Sequence, residues 1–125
     1  MKALSKNKSD NKLLQSIVLG LQDRKGLDIA VLDLTKITDA SFDYFVIAHG
    51  TSKVQTGALA ESVLEKVRDV VEIKPFHKEG FMNAEWILLD YVSVVAHIFY
   101  KDARHFYELE DLWSDAIRTD IPDVN

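Results

Sequence analysis

Cysteine is absent from this 125-residue chain. That excludes a disulfide framework, a thiol nucleophile and a thiolate metal site, and makes a reducing compartment the natural home. Proline is scarce, with Pro75 as the one breaker between regular elements and Pro122 in the polar end of the chain. The opening MKALSKNKSDNK has no apolar core of the kind a signal peptide needs. The longest apolar stretch, EWILLDYVSVVAHIFY from Glu85 to Tyr100, is interrupted by Asp90 and His97. A membrane segment would avoid both groups, so a soluble, cytoplasmic protein with no membrane partner is expected. Phosphate loops of the GxGxxG and GxxxxGK[ST] kinds are missing, as are HxH and HxxxH metal spacings. No internal repeat or low-complexity segment is present.

What is present suits a single globular unit. Hydrophobic residues make up 47% and charged residues 28% of the chain, and a domain commonly takes roughly 100–200 residues. The expected organisation is a polar basic tail over residues 1–8, one domain over 9–118, and a polar tail over 119–125. The net charge of −5 is unevenly spread: residues 1–25 hold six Lys/Arg against two acids, and residues 101–125 hold three against seven. Such a chain is poorly suited to coating bare nucleic acid. A basic protein is the easier electrostatic partner.

Periodicity supplies the elements. Ser9 or Asp10 can cap a helix carrying Leu13, Leu14, Ile17, Val18 and Leu21, with Gly26 as its stop. DIAVLDL (28–34) and YFVIAH (44–49) have the short β-branched look of strands, separated by the turn-rich TKITDASFD. Ser52 and Gln55 stand at capping-box spacing before a long helix striped by Val54, Leu59, Val63, Leu64, Val67 and Val70. Pro75 ends that helix near Ile73. Strands follow around Phe76, at Glu85–Leu89 and at Val94–Tyr100, with a turn at Asp90–Ser93. Asp102 then caps a last helix with Phe106, Leu109 and Trp113 on one face. A helix between strands predicts a parallel crossover, and the tight turn predicts an antiparallel pair. The fold class is therefore α/β (α+β), a compact mixed sheet flanked by helices.

Several groups are of types that can carry chemistry. Gly50-Thr51-Ser52 joins a strand to a helix, where backbone N–H groups and the helix dipole could hold a phosphate, yet a plain helix cap is the stronger reading. Asp28, Asp33, Asp39 and Asp43 are better explained as strand ends and turn formers than as metal ligands. Asp90 can stop its strand and bond to turn amides. Alternation puts Val95, His97 and Phe99 on one face of the last strand and Val94, Ala96, Ile98 and Tyr100 on the better core face, leaving His97 more accessible. Trp86 and Asp90 share a side of the preceding strand. RHFYELEDLW places Arg104 and Glu108 four apart, and sets Tyr107 and Trp113 among acids, residue types that dominate interface energetics.

Four blocks in order, DIAVLDLTKITDASFDYFVIAHGTS, the EG of Glu79-Gly80, EWILLDY with VVAHIFY, and RHFYELEDLW, resemble the ribosomal silencing factor family, RsfS, also called Iojap or YbeB. The resemblance covers about residues 13–115. It implies a domain similar to the nucleotidyltransferase fold without its catalytic acids, needing no cofactor. It also implies binding to the large ribosomal subunit through ribosomal protein fourteen, steric obstruction of subunit joining when nutrients are scarce, and a role in late large-subunit assembly. Carried over by position, the partner surface would include Trp86, Asp90, His97, Arg104, Tyr107, Glu110 and Trp113. Leu109 and Trp113 would contribute mainly to the core.

Two departures from the family pattern stand out. Val92-Ser93 replaces a usual Gly-Asp pair, which removes an easy positive-φ turn and one acid, and His49 replaces a usual Thr before Gly-Thr-Ser. The rival from another class is a nucleotide-binding or nucleotidyl-transferring enzyme, against which the missing acid pair on WILLDY counts. A third possibility is a homodimer in which the exposed face pairs with itself. A peripheral contact between the basic N-terminal segment and ribosomal RNA is also open.

Overall fold

The computed structural model describes residues 7–124. Helix α1 spans Asn7–Asp23, strand β1 Leu27–Asp33, β2 Tyr44–Gly50, helix α2 Lys53–Val71, β3 His77–Glu79, β4 Trp86–Asp90 and β5 Val94–Tyr100. Short helices α3 (Lys101–Tyr107) and α4 (Leu109–Leu112) and strand β6 (Ile117–Ile121) complete the chain. The six strands lie in the order β3-β4-β5-β2-β1-β6. β2 and β5 run parallel and every other neighbouring pair antiparallel, so the expected mixed sheet with one parallel pair is present.

The two sheet faces are covered unequally, and this positions the site. α1 and α2 pack on one face, closing a core that among the described residues holds eighteen buried side chains, including Ile17, Leu21, Val46, Leu59, Val63, Ile87 and Ile98. The opposite face gathers eight among the described residues, including Phe45, Ile47, Val95, Phe99 and Leu109. Since burying a large aliphatic or aromatic side chain contributes about 1.5–3 kcal/mol, the first face carries most of the stability. The second is left partly open. α1 and α2 approach closely because residue 20 is glycine: a Cβ there would lie 2.8 Å from the Val63 Cα. The Gly20 carbonyl also accepts a bond from Ser62 Oγ at 2.7 Å.

Local signals were largely kept. Ser52 is the N-cap of α2, accepting from the Gln55 amide at 3.0 Å. Gln55 reaches back to the amide of Thr51 rather than that of Ser52. The Gly50–Ser52 loop therefore spends its polar atoms on the cap. α2 stops at Val71 because Glu72 adopts a left-handed conformation, earlier than Pro75 requires. Within its stripe Val54 is 85% exposed, and Thr56 and Ala60 take buried places instead.

Four expectations need correction. Helix α1 begins at Asn7, so Ser9 and Asp10 lie in its first turn rather than capping it. The basic tail at residues 1–6 lies outside the described residues, and Asn7 and Lys8 belong to α1. The continuous last helix is broken at Glu108, whose left-handed backbone (φ 49°) separates α3 from α4 and leaves Phe106 exposed rather than facing the core. Residues 117–121 form β6, antiparallel to β1, where a polar tail was expected past Ile117. Backbone pairing rather than side-chain burial holds it, so apolar patterning gave no sign of it.

The β4–β5 turn contains the strained residue that the sequence departure foreshadows. Val92 has φ 79°, in a region where a β-branched residue is an outlier. Asp90 holds it there, its Oδ1 accepting from the Val92 amide at 2.8 Å, as the turn-anchoring role requires. A left-handed conformation costs about 1–2 kcal/mol for an L-residue, and glycine returns roughly half of that through its freer unfolded chain. Val92→Gly is therefore expected to raise stability by about 1 kcal/mol, measured as a higher urea midpoint with an unchanged slope.

Candidate functional site: the half-open sheet face

On the thinly covered face, cross-strand register and the C-terminal helices assemble a row of aromatic rings from five segments, β4, β5, β2, α3 and the end of α4. Trp86 on β4 stands opposite Phe99 on β5, and Leu88 stands opposite His97. The Trp86 ring lies 5.1 Å from Phe99 and 4.7 Å from Tyr107, which in turn meets Phe106 at 5.2 Å. In the other direction His97 meets Phe45 edge-on at 4.5 Å, and Phe45 meets Trp113 at 5.6 Å. The row runs from closed to open: Phe99 and Phe45 are buried, Trp86 and Leu88 half-buried, Tyr107 46% and Phe106 79% exposed. Offset and tilted pairs of this kind each contribute about 0.5–1.5 kcal/mol beyond their burial. The exposed end is an aromatic surface formed by Tyr107 and Phe106.

His97 is not accessible, contrary to the expectation from strand alternation. It is 4% exposed because Trp86, Phe45 and the C-terminal helices roof the face it lies on. Its Nδ1 accepts from the Trp86 indole N–H at 3.1 Å, fixing the tryptophan ring, and its Nε2 has no hydrogen-bond partner among the described residues. Burial lowers its pKa to about 4. The imidazole is thus neutral and supports Trp86 from below.

A second, polar cluster ties the C-terminal helices to the sheet. Arg104, 8% exposed, donates from Nε and Nη2 to the two carboxylate oxygens of Glu110 at 3.0 and 2.8 Å. Its Nη1 lies 3.0 Å from His49 Nδ1 and 3.4 Å from the Leu27 carbonyl. Arg118 on β6 completes the cluster at 2.8 Å from Glu110. The partner of Arg104 is Glu110 rather than Glu108, because the break at Glu108 turns α4 back toward α3. The hydrogen bond from Arg104 holds the Glu110 carboxyl below its usual range against the opposing effect of burial. His49 is lowered by burial first and by Arg104 second.

The site residues expected from the sequence therefore divide. Trp86, His97, Tyr107 and Trp113 converge on the aromatic row, whereas Arg104 and Glu110 form the clamp behind it and Asp90 anchors a turn. Phe45, Leu88, Phe99 and His49 belong to these arrangements and were not among the expected site residues. Cross-strand pairing brings them in, and that is not written in any local motif. Among the described residues no three His or acidic groups converge as metal ligands, and no helix is long and apolar enough to cross a membrane.

Comparison with known proteins agrees with this fold. A family profile described as "Ribosomal silencing factor during starvation" matches residues 7–125. The chain is 37% identical over 116 residues to "Ribosomal silencing factor RsfS" of Halalkalibacterium halodurans, covering 93% of this chain and 97% of that one. It is 31% identical over 110 residues to "Protein Iojap, chloroplastic" of Zea mays, covering 86% of this chain and 46% of that one. A crystal structure of a Chromobacterium violaceum protein superposes with a TM-score of 0.78 at 34% identity, covering 83% of this chain and 85% of that one. One from Bacillus halodurans gives 0.73 at 33%, covering 92% and 98% respectively.

Proposed function

The chain belongs to the ribosomal silencing factor family, and we propose that it acts by binding the large ribosomal subunit through ribosomal protein fourteen and obstructing subunit joining. On this proposal it works in the cytoplasm, lowers translation under nutrient limitation, and needs neither cofactor nor turnover. Occupancy of the intersubunit face is enough. The observation that carries the reading is the open end of the aromatic row, where Trp86, Tyr107 and Phe106 form a contiguous, pre-organised surface. Aromatic anchors backed by a rigid scaffold supply most of the energy in protein interfaces.

The roles of the other residues follow from their places. Trp86 and Tyr107 make the contacts, with Asp90 at the neighbouring turn facing a basic partner. His97 acts through Trp86. Arg104 and Glu110 act through the helices they hold, and Trp113 seats α4 on Phe45. Any contact of the basic N-terminal segment with ribosomal RNA is peripheral, since the net charge of −5 opposes phosphate binding.

Trp86→Ala combined with Tyr107→Ala tests this directly. Loss of two central aromatics commonly costs 2 kcal/mol or more, roughly a 30-fold change in affinity. Large-subunit pelleting is expected to weaken by at least that factor, with a cooperative thermal transition retained. Unchanged pelleting by a folded double variant would place the partner surface elsewhere.

A further inference from the structure

His49 lies near the carboxyl end of β2 and lines, with Lys101, Arg104, His105 and Arg118 among others, a cleft of about 420 Å³. A guanidinium carries donors and no acceptor, so the 3.0 Å contact between Arg104 Nη1 and His49 Nδ1 is a hydrogen bond only while Nδ1 keeps its lone pair. The imidazole is then neutral, with its proton on Nε2. A proton added at Nδ1 sets one N–H against another and brings two positive groups into contact. Charged groups face His49 from four segments. Burial first, and Arg104 on α3 second, oppose the imidazolium, while Asp28 on β1, Asp123 beyond β6 and Glu110 on α4 favour it, and the net effect holds His49 below its ordinary 6.5.

The bond matters because of what Arg104 holds. α3 has seven residues, and no side chain caps its first turn. An isolated helix shorter than about 12–15 residues is marginal in water, so tertiary contacts set the place of α3. Arg104 supplies polar ones, to Glu110, the Leu27 carbonyl and His49. Of these acceptors the carbonyl does not titrate and Glu110 is held below the usual carboxylate range, which leaves His49 as the one that changes state in mild acid. Tyr107 stands one helical turn beyond Arg104, its ring 4.7 Å from Trp86 and 6.3 Å from Phe99. A shift of α3 therefore moves Tyr107 against Trp86.

We propose that His49 is a positioning residue for the partner surface: its neutral imidazole fixes Arg104, and through Arg104 the helix carrying Tyr107, while its protonation loosens that helix and weakens partner binding in mild acid. This rests on Trp86 and Tyr107 being the partner contacts. His49 is not part of the aromatic row and acts only through α3. At neutral pH the imidazole is neutral and binding is complete. As pH falls through the lowered pKa of His49, the free chain takes up a proton that the bound arrangement excludes, and affinity falls. His97 does not contribute above pH 5.5, because its pKa in the folded chain is about 4.

Large-subunit pelleting between pH 7.5 and 5.5, with wild type, His49→Asn and His49→Leu, tests the coupling. Asn offers an amide oxygen close to the place of Nδ1 and does not titrate, whereas Leu offers no acceptor. Wild type is expected to bind about tenfold more weakly at pH 5.5 than at 7.5, on the order of one hydrogen bond to a charged group. His49→Asn keeps the neutral-pH affinity and shows only the subunits' own response to acid. His49→Leu binds about tenfold more weakly already at pH 7.5, with circular dichroism checking that it is folded. In the free protein, the Tyr107 ring resonances are expected to shift over the same range in wild type and to stay in place in His49→Asn. Indistinguishable pH profiles of wild type and His49→Asn overturn the proposal, and so do Tyr107 resonances indifferent to His49. Absence of wild-type binding at every pH would instead contradict the partner reading, with the Tyr107 resonances then upholding or overturning the positioning role by themselves.

Discussion

Arg104→Ala is expected to destabilise the protein by about 3 kcal/mol, near the lower end of the ~3–5 kcal/mol typical when one member of a buried ion pair is removed. Three links decide the magnitude. The guanidinium is nearly enclosed, makes a two-pronged bond to Glu110, and also meets His49 Nδ1 and the Leu27 carbonyl. Without it, Glu110 stays sheltered with only Arg118 as a counter-charge, and the Leu27 carbonyl and His49 lose a donor. Retention of Arg118 at 2.8 Å keeps the loss from reaching the upper end. Urea unfolding is the measurement. Because natural domains hold only about 5–15 kcal/mol in reserve, the variant should show a clearly lower midpoint. Arg104→Met paired with Glu110→Leu should recover much of the loss, since removing both charges removes the unpaired one. A single variant as stable as wild type would mean that the clamp contributes nothing to holding α3 and α4.

Acid should weaken the fold well before the carboxylates titrate. The sign follows from His97, whose pKa is about 4 in the folded chain against 6.5 for the free side chain. Above pH 6.5 both states hold it neutral and the stability is intact. Below 6.5 the unfolded state takes a proton that the folded state refuses, so stability falls as pH drops toward 4. Each pH unit in that window corresponds to about 1.4 kcal/mol, giving about 2 kcal/mol lost between pH 6.5 and 5. His49, also lowered, adds in the same direction. Thermal or urea melts at pH 7, 6 and 5 check this. His97→Gln should be less stable at pH 7 but distinctly flatter with pH. A variant with the wild-type slope would remove His97 as the cause. The functional consequence is local: protonating His97 takes away the acceptor for the Trp86 indole and so loosens the first ring of the partner surface.

The parts of this molecule visible in its sequence are those with local signatures. Helical spacing of Leu13, Ile17 and Leu21 and of Leu59, Val63 and Val67 placed both large helices, and Ser52 announced the start of the second. The runs WILLD and VVAHIFY gave the central hairpin. β6 was hidden because an edge strand held by its backbone exposes IRTDI and shows no apolar alternation. The break at Glu108 was hidden because neither glycine nor proline marks it, and with it went the true partner of Arg104. His97 was misplaced because α3, α4 and Trp113 cover the second sheet face from a distance in sequence. For the site, residue types were legible but their grouping was not. Trp86, Tyr107 and His97 share one row only after β4 and β5 are in register, and the same register enlists Phe99 and Leu88.

The most direct test of the central claim is sedimentation of separated ribosomal subunits with the purified protein at low and physiological salt, followed by addition of the missing subunit. The protein is predicted to pellet with large subunits and not with small ones. Joined ribosomes should fall as protein is added, and little should change with salt because the contact is aromatic rather than phosphate-directed. Absence from the large-subunit pellet at both salts, or undiminished joining by large subunits saturated with the protein, would contradict steric silencing.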